Sequence, residues 1–556
     1  MTVTDDYVVG VCSRSTINYE PLGNHPNPSI PDQSDIPPRD RDVVFPERLP
    51  RLKHEDLFTE FDDVVLNGLY EDGEYVIDYR FDGDRRIDEL ALANASYSRA
   101  TLLNPKQFYE VGEVIHVSIE LLNGYNKRIL RGGDRVRVWI KEVSHGACAR
   151  GYVVDHGNGS YTGVVRVLWP GRVDVLAAVV LSREAVRVLY KIHREGHLVR
   201  QLFAIFQRRF MYEMTLCGPS PFLLGYTRVC NLTRRHYGLP WYCGHPEVLT
   251  CAEWTRIGGS QPPWPMFEEE RKLFEKHNVQ QNIHKHVTVE AHGRGPFSVQ
   301  TPCNQIPALV TWRQAPPVGY FLNWTWCSTA CTNTLPNTVR SWDECLRNRR
   351  IWMHGDSTLR QWFSYLKQRQ KVTLVSDIWR YPAWPLPSTL SSTKYNYAVF
   401  WGTHELPFTN SGEFTPMEAH KATHAYLDEL PRGNRDIVII HFYLHFTAYP
   451  PTLLRTHVRR TVQSVKALLE RAPEARVFVK GPHSFRITTF ARGVIEDYWG
   501  TIHQQILKKE FEPIQDRVYY LDFWDMTVAG ENNHVHPNMT LVGQMLHTLL
   551  GYICPN

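Results

Sequence analysis

Two short stretches, far apart in the chain, contain residue types that could perform acyl-transfer chemistry. The stretch "IWMHGDSTLRQWFSYLK" places Ser357 directly after a Gly-Asp pair, and "DMTVAGENNHVHPNMTLVGQML" contains His534 and His536. A serine hydroxyl is a weak nucleophile that needs a base within hydrogen-bonding distance, and imidazole is the usual base. Serine is also among the commonest helix N-caps. The Gly-Asp-Ser motif alone therefore favours a cap, and the case for a nucleophile depends on whether a histidine reaches Ser357.

The elements around these stretches predict where they lie. From residue 341 to 556 strand and helix patterns alternate, which predicts a parallel sheet with helices on both sides. Ligands bind such a sheet beyond the carboxyl ends of its strands, so a loop after the first strand and a loop before the last helix share that edge. The predicted strands are "RIWMH", "KVTLVSDIW", "YNYAVFW", "DIVIIHFYLHF", "ARVFVKG" and "VYYLDFW", and the predicted helices cover 358–370, 452–471, 493–510 and the region from about 539.

Two of these helices have clear apolar faces, as expected for helices that pack on a sheet. In the helix after Ser357 the face consists of Leu359, Trp362, Phe363 and Leu366. In the long helix it consists of Leu454, Val458, Val462, Val465 and Leu469.

Three further segments precede this α/β region. Residues 1–50 are rich in Pro, Asp and Ser and predict a flexible lead. Residues 51–210 contain "EVIHVSIEL" and "RVRVWIKEV", whose apolar residues alternate between turn signals, and this pattern predicts a β-sandwich with a structural or recognition role. Residues 211–340 hold most of the cysteines and show little periodicity. They predict a connector packed on its neighbours, with one helix in "PMFEEERKLFEKHNV".

The cysteines indicate the compartment. Eight of the 11 cysteines fall between residues 217 and 345, at spacings of 13, 13, 8, 52, 24, 4 and 14. Zinc sites usually contain paired Cys-x2-Cys knuckles, so these spacings favour disulfides formed in an oxidising compartment. The start of the chain lacks the apolar run of a signal peptide, and we expect the natural N-terminus to be missing from this sequence. Five glycosylation sequons agree with a secretory route, at Asn94, Asn158, Asn231, Asn323 and Asn538.

Composition excludes several classes of function. The 556 residues are 43% hydrophobic and 22% charged, which is ordinary for a globular chain of several domains. The net charge is +4 without a dense Lys/Arg block, so nucleic acid is not expected as a partner. No phosphate loop, zinc-binding helix motif or EF-hand is present, and we expect neither a bound cofactor nor a metal ion. No stretch predicts a membrane span.

The two stretches together resemble a known family. "GDSTLRQWFSYL" with "DMTVAGENNHVHPN" is similar to the PC-esterase branch of the SGNH/GDSL hydrolases, and the segment from "ANASYSRATLL" to "RVDV" is similar to the neurexophilin sandwich. In this order they resemble the neurexophilin and PC-esterase domain (NXPE) family, over roughly residues 45–556. The resemblance implies an immunoglobulin-like β-sandwich followed by a three-layer SGNH-type domain with a flavodoxin-like parallel sheet. It also implies a secreted or Golgi-lumenal glycoprotein.

The resemblance implies a role for each matching residue. Ser357 aligns with the nucleophile, and its N–H aligns with one oxyanion donor. His536, directly before Pro537, aligns with the general base in preference to His534. Gly402 in "FWGTHELPF" aligns with the glycine whose N–H is a second oxyanion donor.

Two positions depart from the pattern of the superfamily. The Gly-x-Asn-Asp block is absent, and His445 in "FYLHF" would have to replace its asparagine as an oxyanion donor. The superfamily has an aspartate three residues before the histidine, and Asn533 stands at that position here. An asparagine can orient an imidazole but cannot stabilise its charge. Asp525, or less plausibly Glu531, would serve as the acid if the loop folds back. Asp356 is expected to be structural. His404 is also expected to be structural, with a role in lining the substrate pocket as the alternative.

The leading hypothesis is therefore an enzyme that adds or removes O-acetyl groups on glycans, sialic acids included. A transferase would need an acyl donor such as acetyl-CoA, and the partner would be a glycan or glycoprotein acceptor. One rival hypothesis is a catalytically silent secreted protein whose sandwich binds a cell-surface receptor. Another is a carbohydrate-binding protein that uses the same crevice without turnover.

Overall fold

The computed structural model describes residues 87–194, 201–223, 225–260, 268–284, 287–377, 386–408, 414–431, 436–485 and 498–554. These residues form a mixed α/β protein rich in sheet, with four sheets and ten α-helices among them. The flexible lead predicted over residues 1–50 lies outside them. None of the described helices is both long and apolar enough to cross a bilayer.

Antiparallel strands make up the first part of the described chain. Four of them form one sheet in the order β1-β3-β7-β6, and β4, β5, β8 and β2 belong to a second sheet. Alternating side chains of both sheets, such as those of Ile119 and Val138, are buried in one common core. The strands are β1 (Arg99–Leu102), β2 (Tyr109–Glu110), β3 (Val114–Glu120), β4 (Arg135–Glu142), β5 (Ala147–Arg150), β6 (Tyr152–Asp155), β7 (Ser160–Arg166) and β8 (Gly171–Leu181).

The segment predicted as a cysteine-rich connector supplies strands to two sheets. Four of its strands complete the second sheet, whose order is β17-β16-β5-β4-β8-β15-β2 with β14 beside β8. Strands β10 to β13 form a six-stranded sheet with one later strand and with β9, which lies in the segment 51–210 predicted as a sandwich. Five of the connector strands, β11, β12, β14, β16 and β17, are only two to four residues long, too short to show a period in sequence. The elements are α1 (Arg183–Arg194), β9 (Gln201–Arg208), β10 (Met211–Gly218), β11 (Val229–Asn231), β12 (Tyr242–Gly244), β13 (Trp254–Ser260), α2 (Glu268–Lys272), β14 (Gln281–Asn282), β15 (Val287–His292), α3 (Ala308–Trp312), β16 (Gly319–Leu322) and β17 (Thr325–Ser328).

The last part of the chain alternates strands and helices, as predicted. Its elements are α4 (Val339–Leu346), β18 (Arg350–Gly355), α5 (Ser357–Gln370), β19 (Thr373–Asp377), β20 (Ser388–Ser392), β21 (Tyr397–Thr403), β22 (Phe414–Pro416), α6 (Thr423–Asp428), β23 (Ile437–Ile440), α7 (Pro451–Arg471), β24 (Arg476–Lys480), α8 (Tyr498–Glu510), β25 (Val518–Leu521), α9 (Trp524–Ala529) and α10 (Met539–Ile553).

The sheet of this region contains a parallel core in the order β21-β18-β23-β24-β25. Numbered along the chain, that order is 2-1-3-4-5, one of the two common orders of doubly wound sheets. The order reverses at β18, so the crevice beyond its carboxyl end is where such a sheet binds ligands. β19 and β20 add an antiparallel edge beside β21, and β22 pairs with β13 of the six-stranded sheet.

Helices cover both faces of this sheet. On one face α5 packs against α10, and the predicted stripe of α5 is buried, with Leu359 and Trp362 at 0% exposure. On the other face α7 packs against α8, and the predicted apolar face of α7 is buried in a second core. A disulfide between Cys345 and Cys554 joins α4 to the end of the chain.

Three more disulfides lie within the segment that the sequence predicted to be cross-linked. They join Cys217 to Cys243, Cys230 to Cys251, and Cys303 to Cys331. Disulfide formation in place of zinc binding is thus confirmed for these cysteines. Disulfides of this kind are typical of secreted and lumenal proteins.

Candidate active site

Ser357 is the first residue of α5, at the carboxyl end of the central strand β18. The cap of this helix is Asp356, whose Oδ1 accepts a hydrogen bond from the Thr358 N–H at 2.8 Å. Gly355 is required because a Cβ there would lie 2.9 Å from both Cβ and the carbonyl oxygen of His441. Since Asp356 caps the helix, the Ser357 hydroxyl is left for another role, and Ser357 N–H lies where helical N–H groups lack an intrahelical partner.

His536 reaches this serine from the loop before α10. Its Nε2 lies 2.7 Å from Ser357 Oγ, a hydrogen bond between residues 179 positions apart in the chain. Ser357 is half-buried and His536 is exposed, so the pair lies at a rim that solvent and a substrate can reach. This is the geometry in which a serine transfers its proton to an imidazole base.

Polar groups of neighbouring segments hold the loop that carries His536. Gln361 of α5 donates to the Pro537 carbonyl at 2.8 Å, and His483 donates through Nε2 to the Val535 carbonyl at 2.7 Å. The side-chain amide of Asn532 donates to the carbonyls of Ser484 and His534, each at 2.8 Å. The loop is therefore tied to α5, the helix that begins with Ser357, and to the segment after β24.

The surroundings of His536 set its protonation state. Although part of the His536 side chain is exposed, the protein atoms near its ring lower its pKa below the ordinary 6.5, and the charge of Asp356 offsets part of this effect. The imidazole is consequently neutral at neutral pH, as a general base must be.

The two acidic residues predicted as partners of His536 bind elsewhere. Asp525 is 1% exposed, and its carboxylate accepts hydrogen bonds from Arg150 of β5 at 2.5 Å and from the Val318 N–H at 2.8 Å. Glu531 forms an ion pair with Lys141 of β4 at 2.7 Å. The structure thus places Asp525 and Glu531 against the sandwich strands. Within the described chain no hydrogen bond joins His536 to a carboxylate.

The two predicted oxyanion donors besides Ser357 lie on neighbouring elements. Gly402 is in β21, paired in register with His354 of β18. His445 is buried in the 3-10 helix 444–448, where its ring packs 4.2 Å from Phe408 and 5.0 Å from the ring of His404. Gly402 lies in β21 and His445 lies in the loop after β23, and these two strands are the neighbours of β18 in the sheet. Both residues are near the carboxyl ends of their strands, as Ser357 is.

His404 is fully buried and has a structural contact. Its backbone N–H donates to the Gly355 carbonyl at 3.1 Å, and its Nδ1 donates to the Glu405 carbonyl at 2.7 Å. The neighbouring Glu405 carboxylate is also buried and accepts from the N–H and hydroxyl of Thr423 and from His457. Burial alone would raise the pKa of Glu405, but these donors lower it, and the resulting carboxylate fixes the loop after β21 to α6 and α7.

A fully buried polar cluster lies directly below Ser357, and sequence reasoning singled out only one of its members, Asp356, as a structural residue. This buried cluster consists of Asp356, Thr358, His441 and Lys480, each at most 2% exposed. Thr358 Oγ1 lies 2.7 Å from Asp356 Oδ1, and Lys480 Nζ lies 3.0 Å from both Thr358 Oγ1 and His441 Nε2. The available signal was Lys480 itself, a lysine at the end of the apolar strand "RVFVK".

The buried cluster contains one carboxylate that remains ionised. Burial alone would raise the pKa of Asp356, but the neighbouring His441 and the charge of Lys480 hold it well below its ordinary value. Burial lowers the pKa of His441, and the neighbouring Lys480 lowers it further. The cluster at neutral pH therefore pairs the Asp356 carboxylate with the Lys480 ammonium group beside a neutral His441.

The predicted glycosylation sites lie on the surface or at turns. Asn158, Asn231 and Asn323 are exposed, and Asn94 is half-buried. Asn538 is the N-cap of α10, and its Oδ1 accepts from the Leu541 N–H at 2.9 Å.

Fold and site together define a protein with a Ser–His pair at the switch point of a doubly wound sheet, joined to an antiparallel β domain. Residues 326–554 match the family described as NXPE family member 4-like, C-terminal domain. Residues 101–258 match the family described as Neurexophilin, a match that extends past the predicted boundary at 210 to include β13. With both matches in this order, the chain belongs to the NXPE family.

Proposed function

We propose that this protein is an acyl-transfer enzyme of the SGNH type that adds or removes O-acetyl groups on glycans. The observation that carries the proposal is the 2.7 Å hydrogen bond between Ser357 Oγ and His536 Nε2 at the carboxyl edge of the sheet. The match to the NXPE C-terminal domain supports a PC-esterase type of domain. The disulfides support a secreted or Golgi-lumenal location, where glycoprotein sugars are available as acceptors.

The chemistry proceeds through an acyl-enzyme. Ser357 Oγ forms a bond to the acyl carbonyl carbon while its proton passes to His536 Nε2. The tetrahedral intermediate collapses, and the leaving atom takes the proton from His536; this atom is the sulfur of a donor such as acetyl-CoA in transfer, or a sugar oxygen in hydrolysis. A sugar hydroxyl or water then gives its proton to His536 and attacks the acyl carbon. The bond between the acyl carbon and Ser357 Oγ breaks, and Oγ takes the proton back from His536.

The negative charge that develops on the carbonyl oxygen of the acyl group must be stabilised by hydrogen-bond donors. Ser357 N–H at the start of the 14-residue helix α5 is one, since the helix dipole also favours negative charge there. Gly402 N–H and His445 are the further donors that we propose, on the strand and the loop that flank β18.

A serine-directed fluorophosphonate tests the proposal. We expect the wild-type protein to be labelled and the label to map to the peptide that contains Ser357, whereas Ser357→Ala and His536→Gln lose the labelling. Ser364→Ala is the matched control, because Ser364 is an exposed serine on the same helix. Labelling that persists in Ser357→Ala, or a wild type that is not labelled, refutes the proposal.

A second function is favoured by one observation: within the described residues, no carboxylate hydrogen bonds to His536. Such a site would bind an acetylated glycan without turnover. The two functions separate in one experiment, in which an O-acetylated sialoside is incubated with the wild-type protein and with Ser357→Ala. Release or transfer of acetate by the wild type alone supports the enzyme, whereas equal affinity of both proteins without acetate release supports the binding protein.

A further inference from the structure

The buried cluster below Ser357 has a defined hydrogen-bond direction. His441 Nδ1 lies 2.8 Å from the Lys480 carbonyl oxygen, which can only accept, so this nitrogen carries the proton. Because burial and Lys480 keep this imidazole neutral, His441 Nε2 presents a lone pair that accepts from Lys480 Nζ at 3.0 Å, and Thr358 Oγ1 lies at the same distance from Nε2. Lys480 Nζ also donates to Thr358 Oγ1, which leaves the Thr358 hydroxyl proton to bind Asp356 Oδ1.

This chain of hydrogen bonds brackets the nucleophile. Asp356 and Thr358 are the immediate neighbours of Ser357 in sequence. The hydrogen bonds that start at Lys480 reach Thr358 and, through its hydroxyl, Asp356. The other oxygen of Asp356 lies 3.3 Å from the Leu444 N–H, so the same carboxylate also binds the loop after β23. The backbone on either side of Ser357 is thus fixed to β24 and to this loop by buried groups alone.

We propose that Lys480 is a positioning residue of this site: its buried ammonium group, acting through Thr358 and Asp356, fixes the first turn of α5 and holds Ser357 Oγ against His536. The proposal rests on the acyl-transfer function proposed above. Lys480 is 1% exposed and has no direct contact with the rim where the substrate would bind. It therefore acts on the geometry of the serine and not on the reacting atoms.

The charge of Lys480 should make this positioning depend on pH. Burial lowers the pKa of Lys480 to about 8, and Asp356 opposes the shift. The other titratable groups close enough to interact electrostatically with Lys480 are His441, His483 and His536. All three have lowered pKa values, and the ring of Trp362 lies 5.9 Å from the ammonium group. Lys480 is thus the group in this set that loses its charge as the pH rises through about 8.

The test is the rate constant of fluorophosphonate labelling at Ser357, measured from roughly pH 5 to 10 together with thermal unfolding. We expect Lys480→Met to label about 10- to 100-fold more slowly at pH 7, because a displaced nucleophile loses its alignment with the base. The wild-type rate should fall above about pH 8, and Lys480→Met should lack this fall. Lys466→Met, which changes an exposed lysine of α7, should match the wild type.

A second pair of variants keeps the proposal falsifiable if Lys480→Met fails to fold. Thr358→Val removes the hydroxyl between Lys480 and Asp356 and should slow labelling, whereas Thr358→Ser retains a hydroxyl and should restore it. Equal rates for Thr358→Val and Thr358→Ser overturn the proposal, as does a folded Lys480→Met with the wild-type rate and pH profile. A wild type that is not labelled at Ser357 overturns the acyl-transfer function as well, so the two failures are distinguishable.

Discussion

Arg150 of β5 forms an ion pair with Asp525, which lies in the domain that carries the Ser–His pair. Substitution of Arg150 should therefore destabilise that domain. Arg150→Met leaves the Asp525 carboxylate, 1% exposed, with the Val318 N–H as its remaining hydrogen-bond donor. Removal of one partner of a buried pair costs about 3–5 kcal/mol. Because the Arg150 side chain is 23% exposed, water can replace part of the interaction. We therefore expect the free energy of unfolding to fall by about 3 kcal/mol, the lower end of this range.

Thermal unfolding measures this loss. For a domain of this size 1 kcal/mol corresponds to roughly 2–4 °C, so the midpoint should fall by about 6–12 °C. Arg172→Met is the matched control, since Arg172 and Asp174 form a surface pair at 3.6 Å with side chains 64% and 29% exposed. Exposed pairs contribute about 0–1 kcal/mol, so this variant should shift the midpoint little.

The double variant Arg150→Met with Asp525→Asn separates the charge from the packing. Without the carboxylate there is no unpaired buried charge, and most of the lost stability should return. Equal midpoints for Arg150→Met and the wild type, or a double variant less stable than Arg150→Met, would refute the role of Asp525 as a buried anchor to the sandwich.

Three further measurements follow from the same geometry. The rate of fluorophosphonate labelling should rise with pH through a midpoint below 6.5, because the lowered pKa of His536 makes the neutral base available above that midpoint, and a midpoint above 6.5 would contradict this. Gly355→Ala should abolish labelling and cost about 1–3 kcal/mol because its Cβ meets His441, whereas Gly295→Ala, with open space at its Cβ, should do neither. Burial and the charge of Asp525 raise the pKa of Asp522 from 3.8 to about 6, so ionisation of Asp522 costs stability as the pH rises from 4 to 6. In urea unfolding, Asp522→Asn should therefore stabilise the protein by up to about 3 kcal/mol at pH 7 and little at pH 4.

The elements with a long, regular period were predictable from the sequence. The helices α5 and α7 bury the apolar faces that their sequences indicated, and the strand–helix alternation gave the parallel sheet. The antiparallel strand β20 was missed because its sequence "STLSS" contains a single apolar residue and so shows no alternation, and the six-residue helix α9 was missed because it has less than two turns.

The stretch "DIVIIHFYLHF" shows a different limit. It was predicted as one buried strand, but the strand ends at Ile440, and residues 444–448 form a 3-10 helix. All of these residues are buried, and a continuous apolar run does not distinguish a buried strand from a buried loop. The break matters because it brings His441 and the Leu444 N–H under Ser357.

The pairing of Ser357 with His536 followed from topology, since loops at the carboxyl ends of parallel strands meet at one edge. The partners of the acidic residues did not, because Asp525 binds an arginine 375 residues away in the chain. Both ion pairs of the loop region, from Asp525 to Arg150 and from Glu531 to Lys141, lead to the sandwich strands β5 and β4. The α9 helix packs on the same strands, so the chain that leads to His536 is supported by the neurexophilin-like part and not by its own sheet alone. Because α9 covers this part of β4 and β5, a receptor of the kind that the sequence predicts would have to bind another surface of these sheets.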